Sequence, residues 1–389
     1  MKITRVTATP VRMPVAHAPY PTEGAGTRVH WEGKRSRVTP KRPGPVLEYN
    51  IVRIETDEGL VGTGEAQADI GFFGETMEQV TASIADYLGP QLVGKDPFDR
   101  EYVLGLLDFR GNSCAQAGLD MALHDLVGKA LGVPVAVLLG GRHKSRVKVA
   151  IEIAGGAPDD MASECTRLVA LGVRVFKPKI GGHPDQDAER LVAIREAVGP
   201  QVCLRADANQ GYTPKEAVRL CRLAQQGGVG LELLEQPVPA WDMQGMAYVR
   251  QMVEIPIEAD ESCYSVHDAL QLVRHEAADV LNIKLGKAGG FYKAKQIASI
   301  AEAAGMRCVL GTAFGLGLEV AAKLQLAAST MLVVDAVEFT EINLHRNLLA
   351  PPHDQLLSFP LSDGTLPVPD GPGLGVTLDD GAVGQHLFA

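Results

Sequence analysis

Seven side chains recur at nearly even steps through the second half of the chain: Lys179, Asp207, Glu235, Asp260, Lys284, Thr312 and Glu338, spaced by 28, 28, 25, 24, 28 and 26 residues. Each stands at or near the end of a short apolar run, in "VRVFKPKIG", "VCLRADANQ", "LELLEQPVP", "IPIEADES", "VLNIKLGKAGG", "RCVLGTAFG" and "AVEFTEI". Three carboxylates in succession, Asp207, Glu235 and Asp260, would repel strongly in one place unless a cation lay among them. All-oxygen ligands with room for water suit Mg²⁺ or Mn²⁺ better than zinc. Lysines flank the series, Lys179 one step before it and Lys284 one step after. A desolvated lysine beside another cation gives up its proton more readily and can act as a base near neutral pH. Lys177, two residues before Lys179 and on the same strand face, is the candidate neighbour. Removing the proton α to a carboxylate makes an enediolate with two negative oxygens, which a divalent ion stabilises directly. Taken singly, each lysine reads as a snorkelling surface residue and each carboxylate as half of a surface ion pair. The ordered spacing is what favours a site.

Such a series needs a scaffold that repeats about every 26 residues. Eight apolar strands, beginning at "VKVAIEIAG", alternate with amphipathic segments such as "DAERLVAIREAVG" and "PKEAVRLCRLAQQ". This is the arithmetic of a parallel α/β barrel, in which the carboxyl ends of the strands share one basin. Lysines on the second and sixth strands then stand on opposite sides of it. Pro178 predicts that its strand is ending or bulging there, since Pro removes a ladder donor. Upstream, "KITRVTATPVRM" and "EYNIVRIETDEGLVGTGEAQA" alternate apolar with polar residues, with Asp57, Glu58 and Gly59 at a hairpin turn. Helical patterns follow at about 76–90, 97–107 and 114–132. Between the first strands lies a Gly/Pro-rich basic stretch whose length predicts a mobile loop, either a functional lid or disordered. The expected organisation is an α+β cap over 1–135, a barrel over 136–350, and a Pro/Gly-rich segment, 351–389, folding back on the cap.

A formal charge of −10 argues against a partner that is nucleic acid or an anionic membrane. Six scattered cysteines with no CxxC pair read as reduced thiols and fit the cytoplasm. The start of the chain has no continuous apolar signal segment. "GLGLEVAAKLQLAASTMLVV" carries Glu319 and Lys323 and reads as a buried helix rather than a membrane span.

The ordered set "KPK", "DAN", "EQP", "ADES" and "KLGKAGG" resembles the enolase superfamily, specifically the muconate-lactonizing branch of the mandelate racemase/muconate lactonizing enzyme family, over essentially the whole chain. The resemblance implies a (β/α)7β TIM-like barrel with an α+β capping domain. It implies Asp207, Glu235 and Asp260 as ligands of Mg²⁺, or Mn²⁺, with Lys179 and Lys284 as the acid/base pair. Lys177 would assist Lys179 and meet the substrate carboxylate. The mandelate racemase branch places a His-Asp dyad where this chain has Lys284 and "GTAFGLG", so that branch fits poorly. Glu338 and Thr312, with His30, Trp31, Tyr20 and Arg28 of the early loop, are expected near substrate. Asn209 and Glu261 are expected to orient the metal ligands. Lys287 reads as a solvated loop residue, His124 as structural, and the "AGG" at 288–290 as packing rather than a phosphate turn. The dipeptide epimerases of the family carry an Asp-x-Asp pair where this chain reads "VEFTEI", which counts against that activity.

The expected function is an isomerase, either a cycloisomerase or a racemase/epimerase, acting on a small carboxylic or amino acid and assembled as a homo-oligomer. Dehydration of a hydroxylated acid or amino acid, such as a hydroxyproline, is the alternative within the same chemistry. A barrel that binds a metal or an acid without turnover, and a metal-free Schiff-base aldolase using one lysine, are the readings outside it.

Overall fold

The computed structural model describes residues 1–14, 46–334, 336–343 and 347–388. Strands β1 (Ile3–Pro14), β2 (Val46–Thr56) and β3 (Val61–Ala68) form an antiparallel sheet in that order. The β2–β3 hairpin turns where expected: Thr56 N donates to Leu60 O, and Gly59 takes the positive φ of +79° that the turn demands. The helix Ser113–Leu131 lies directly on β3. It can do so because Gly62 and Gly64 have no side chain: a Cβ at either would collide with the carbonyl of Ala122 or Gly118.

The barrel strands are β4 (Arg146–Ile153), β5 (Val175–Pro178), β6 (Cys203–Asp207), β7 (Leu231–Glu235), β8 (Ile257–Ala259), β9 (Val280–Ile283), β10 (Arg307–Leu310) and β11 (Ala336–Glu338). Each pairs in parallel with the next as far as β10, and β11 pairs in parallel with β4. Backbone bonds from Cys308 N to Leu332 O and from Val334 N to Cys308 O join β10 to the approach of β11. Helices cover each crossover, typified by Pro214–Gln226, where Thr213 and Glu216 form a capping box before an amphipathic run. A (β/α)7β barrel results. The short strand β12 (Thr365–Pro367) adds antiparallel to the start of β4. The chain end then returns to β1, where Arg12 N and Phe388 N bond to His386 O and Pro10 O.

Pro178 sits where it does little harm. Lys179 N still reaches Ile153 O on the β4 side, at 2.8 Å. On the other side the β5–β6 ladder is in register only at Val175 and Phe176, resuming at the isolated Lys179–Asp207 bridge. The missing donor therefore falls in a gap of the ladder.

Candidate active site

Alternation within each strand puts one set of side chains into the barrel, and the charged members of that set meet near the carboxyl ends. In-register pairing sets Asp207 beside Glu235 on β6 and β7. Asp260 follows β8 and Lys284 follows β9, one residue past each strand. Asp207, Glu235, Asp260 and Lys177 are essentially buried, and Lys284 nearly so. Lys179 Nζ lies 2.6 Å from Asp207 Oδ2 and 2.9 Å from Glu152 Oε1. Lys284 Nζ lies 2.7 Å from Asp260 Oδ2 and 4.4 Å from the centre of the Phe72 ring. Both lysines line one pocket of about 250 Å³, together with Asp69, Phe72, Glu152, Asn209, Glu261, Thr312 and Phe314.

The structure gives Lys177 a different position from that expected. Its ammonium lies 2.7 Å from Glu235 Oε2, 2.6 Å from Glu338 Oε1, 3.3 Å from Glu152 and 3.9 Å from Asp207. Burial would drive its proton off, but Glu235 and Glu338 outweigh burial and hold it well above the usual lysine range. It is thus a counter-ion at the centre of four carboxylates, and this geometry lends no support to a role as the free cation that strips charge from Lys179. Lys287 is a correction. It is buried rather than solvated, and donates to Asp260 Oδ1, to Asp260 O at 2.7 Å and to Asn282 O at 3.0 Å. A helical turn beyond β9 folds it back inside, because the buried Asp260 needs a second cation once Lys284 faces the pocket.

Glu338 has both oxygens engaged, Oε1 by Lys177 and Oε2 by the Thr312 N–H at 3.0 Å, while the Thr312 hydroxyl donates to Glu341. Asn209 and Gln210 both donate to Glu261 Oε1 at 3.2 Å, and among the described residues no donor reaches the buried Glu261 Oε2. His124 stacks edge-on against Phe291 and packs in the cap, as expected. His30, Trp31, Tyr20 and Arg28 lie outside the described residues. Three participants had been missed, Glu152 on β4, Glu258 on β8 and Asn282 on β9. Each is a polar residue inside an otherwise apolar strand run, which is itself a signal.

The residues fit a hard divalent cation. Among the described residues, six buried carboxyl groups (Glu152, Asp207, Glu235, Glu258, Asp260 and Glu338) converge with the ammonium groups of Lys177, Lys179, Lys284 and Lys287. One oxygen each of Glu235, Glu258 and Glu338 lies within 4.8 Å of the others, a group that shares only Glu235 with the expected ligands Asp207, Glu235 and Asp260, and among the described residues no donor reaches Glu258 Oε2. Burial, together with Asp207 and Glu258, pushes Glu235 well above the usual carboxylate range. Asp260 goes the other way: Lys284 and Lys287 overcome its burial and hold it low. Asp207 and Asp260 have their oxygens drawn toward lysines, so those lysines serve here as their counter-ions.

Gly311, just past β10, makes the room that Lys284 needs. A Cβ there would lie 2.6 Å from Lys284 Cε and closer still to Asn282 Oδ1. The Gly311→Ala variant should therefore displace both Lys284 and the buried Asn282, lowering kcat by about 10²-fold and the melting temperature by a few degrees. Unchanged kcat would show that Lys284 is not at its working position.

Family models described as "Mandelate racemase / muconate lactonizing enzyme, N-terminal domain" and "Enolase C-terminal domain-like" match residues 46–140 and 160–382. The L-Ala-D/L-Glu epimerase of Clostridium acetobutylicum is 37% identical over 84% of this chain and 90% of its own length. The chloromuconate cycloisomerase of Cupriavidus pinatubonensis is 34% identical over 87% and 91%. A dipeptide epimerase from Enterococcus faecalis, solved with Mg and L-Leu-L-Tyr, superposes with a TM-score of 0.83 at 31% identity, covering 97% of this chain and all of its own. These relatives are isomerases, and so is this chain. It belongs to the mandelate racemase/muconate lactonizing enzyme family of the enolase superfamily.

Proposed function

We propose that Lys179 and Lys284 exchange the proton α to the carboxylate of a small acid or amino-acid derivative, each working on one face of the substrate. The observation that carries this reading is the pair of ammonium groups lining one small pocket from β5 and β9, the second and sixth strands of eight. Asp207, Glu235 and Asp260 would hold Mg²⁺ or Mn²⁺, which when bound supplies positive charge to the substrate's carboxylate oxygens. The chain's own groups do the rest. Lys179, oriented by Glu152, takes or returns the proton on one side, and Lys284, under Phe72, does so on the other. Phe72 and Phe314 form apolar parts of the wall. Lys177 and Lys287 keep the carboxylates paired and in place.

Return of the proton to the opposite face is racemisation or epimerisation. In cycloisomerisation a carboxylate oxygen adds to a conjugated C=C to close a lactone, and one lysine delivers a proton to the α carbon of the enediolate so formed; the reverse is α-proton loss with expulsion of the ring oxygen. β-Elimination from a hydroxylated acid would begin with the same abstraction. A cytoplasmic homo-oligomer remains the setting we infer. The test is ¹H NMR in D₂O with Mg²⁺, following loss of the α-proton from L-Ala-L-Glu, L-Leu-L-Tyr, N-acetyl amino acids, 3-hydroxyproline and muconolactone. At least one should exchange, and EDTA should stop the exchange until metal is restored. Silence across the panel would favour a barrel that binds an acid without turning it over, and indifference to EDTA would remove the metal from the mechanism.

A further inference from the structure

The pocket wall contributed by the segment after β10 is held from two directions. On the barrel side, Gly311 N bonds to Ile283 O at 3.0 Å and Thr312 N to Glu338 Oε2 at 3.0 Å. On the cap side, the buried Tyr49 of β2 donates its hydroxyl to Phe314 O. Glu65 of β3 accepts from Leu316 N at 2.6 Å and from Glu319 N at 3.1 Å, at the entry of the helix Gly317–Ser329. Ile51 lies opposite Glu65 in the β2–β3 register, so Tyr49 and Glu65 project from the same sheet face.

Between these anchors Phe314 adopts φ +66°, a left-handed conformation that an aromatic side chain seldom takes. Its N–H is bonded at 3.0 Å to the Thr312 hydroxyl, itself a donor to Glu341. A non-glycine residue persists in this region only where its surroundings over-determine it. Here the constraints reach across more than 250 residues of sequence, from cap to barrel.

We propose that Glu65, with Tyr49, is a positioning residue of the active site: the cap hairpin clamps the 312–316 segment and so sets Phe314 as the wall that selects the substrate's side group. Glu65 touches no reacting atom. It acts by satisfying two amide donors that would otherwise be buried without acceptors, and the left-handed turn at Phe314 relaxes without it. The naming of Phe314 as a substrate wall rests on the function proposed above; the clamp itself does not.

The experiment compares full-length wild type with Glu65→Ala, Glu65→Gln, Tyr49→Phe and Phe314→Ala, all with Mg²⁺. Hydrogen–deuterium exchange by mass spectrometry is followed over 311–319, with the remote helix Pro214–Gln226 as control. Loss of a buried acceptor in Glu65→Ala should speed exchange over 311–319 by about tenfold and leave the control unchanged. Glu65→Gln, which keeps one acceptor oxygen, should fall between. On the panel compound that wild type exchanges fastest, Glu65→Ala should raise KM about fivefold with kcat within about twofold, and Phe314→Ala should change the order of preference across the panel. Unchanged exchange over 311–319, or faster exchange in both segments, overturns the clamp. An unaltered preference order in Phe314→Ala overturns the wall. If wild type exchanges no panel compound, the proposed function fails, and the hydrogen-exchange arm still decides the clamp.

Discussion

Lys284→Ala and Lys179→Ala should each lower turnover by about 10²–10⁴-fold, the usual contribution of a positioned acid or base, while the protein stays folded and binds Mg²⁺. The fold tolerates the loss because neither deletion strands a carboxylate. Asp260 keeps Lys287 on Oδ1 and on its carbonyl when Lys284 is removed. Asp207 keeps the Asn209 N–H at 2.8 Å and the Lys177 ammonium at 3.9 Å when Lys179 is removed. The informative part is stereochemical. If each lysine serves one face, Lys179→Ala should still wash the α-proton out of one enantiomer in D₂O, and Lys284→Ala out of the other, although neither interconverts them. If the reaction is a cycloisomerisation or an elimination with a single base, only one of the two variants should stop α-exchange altogether. Deuterium incorporation into separate enantiomers, read by NMR, thus discriminates outcomes that share the same first step. Wild-type turnover in both variants would end the two-lysine mechanism.

Much of this site was legible because a parallel barrel converts sequence spacing into spatial convergence. Asp207, Glu235 and Glu338 close their strands, Lys179, Asp260 and Lys284 stand one residue beyond theirs, and Thr312 stands two beyond. An end-of-run rule therefore found them. It could not find Glu152, Glu258 or Asn282, which lie within "VAIEIAG", "IPIEAD" and "VLNIK", since the rule looks only at the polar residue that ends a run. Lys287 was misread for a related reason. Three residues after Lys284, its direction depends on whether the chain coils into a turn of helix or leaves as a loop, and spacing is silent on that. The Tyr49 and Glu65 contacts with the 314–319 segment join residues more than 250 apart, and no local pattern predicts such a pairing. The substrate's far end is equally illegible, because it is read by loop side chains rather than by the repeated scaffold.

Lys177→Met should destabilise the protein by about 3–5 kcal/mol at pH 8 in EDTA, the range for removing one partner of a buried ion pair. Methionine keeps most of the lysine stem, so the loss measures charge rather than a cavity. The ammonium is fully buried with Glu235 and Glu338 within 2.7 Å, and among the described residues the Thr312 N–H is the other donor to the Glu338 carboxylate. Without Lys177 the buried carboxylates around it lose their counter-ion, Glu235, already raised by burial, is driven up further, and the pH response shows how far the group takes up protons instead. In wild type, burial raises Glu152 but Lys179 and Lys177 overcome it and hold it at about 2, against an ordinary value of 4.5. Its contribution is thus fully present above pH 4.5 and is lost only as pH falls toward 2. In the variant, unpaired buried carboxylates are raised instead, so the native state binds more protons than the unfolded chain and loses stability as pH rises above about 4.5. Glu65, raised to about 8 by burial and Glu319, is unaffected by Lys177 and cancels in the difference, whereas Glu258, raised by burial to about 8 against the pull of Lys177, rises further without it. The gap between variant and wild type in urea unfolding should therefore be small at pH 5 and widen steadily to pH 8. A gap that stays constant with pH would mean that Lys177 acts through packing, and no gap at pH 8 would mean that the four carboxylates find their neutralising charge elsewhere.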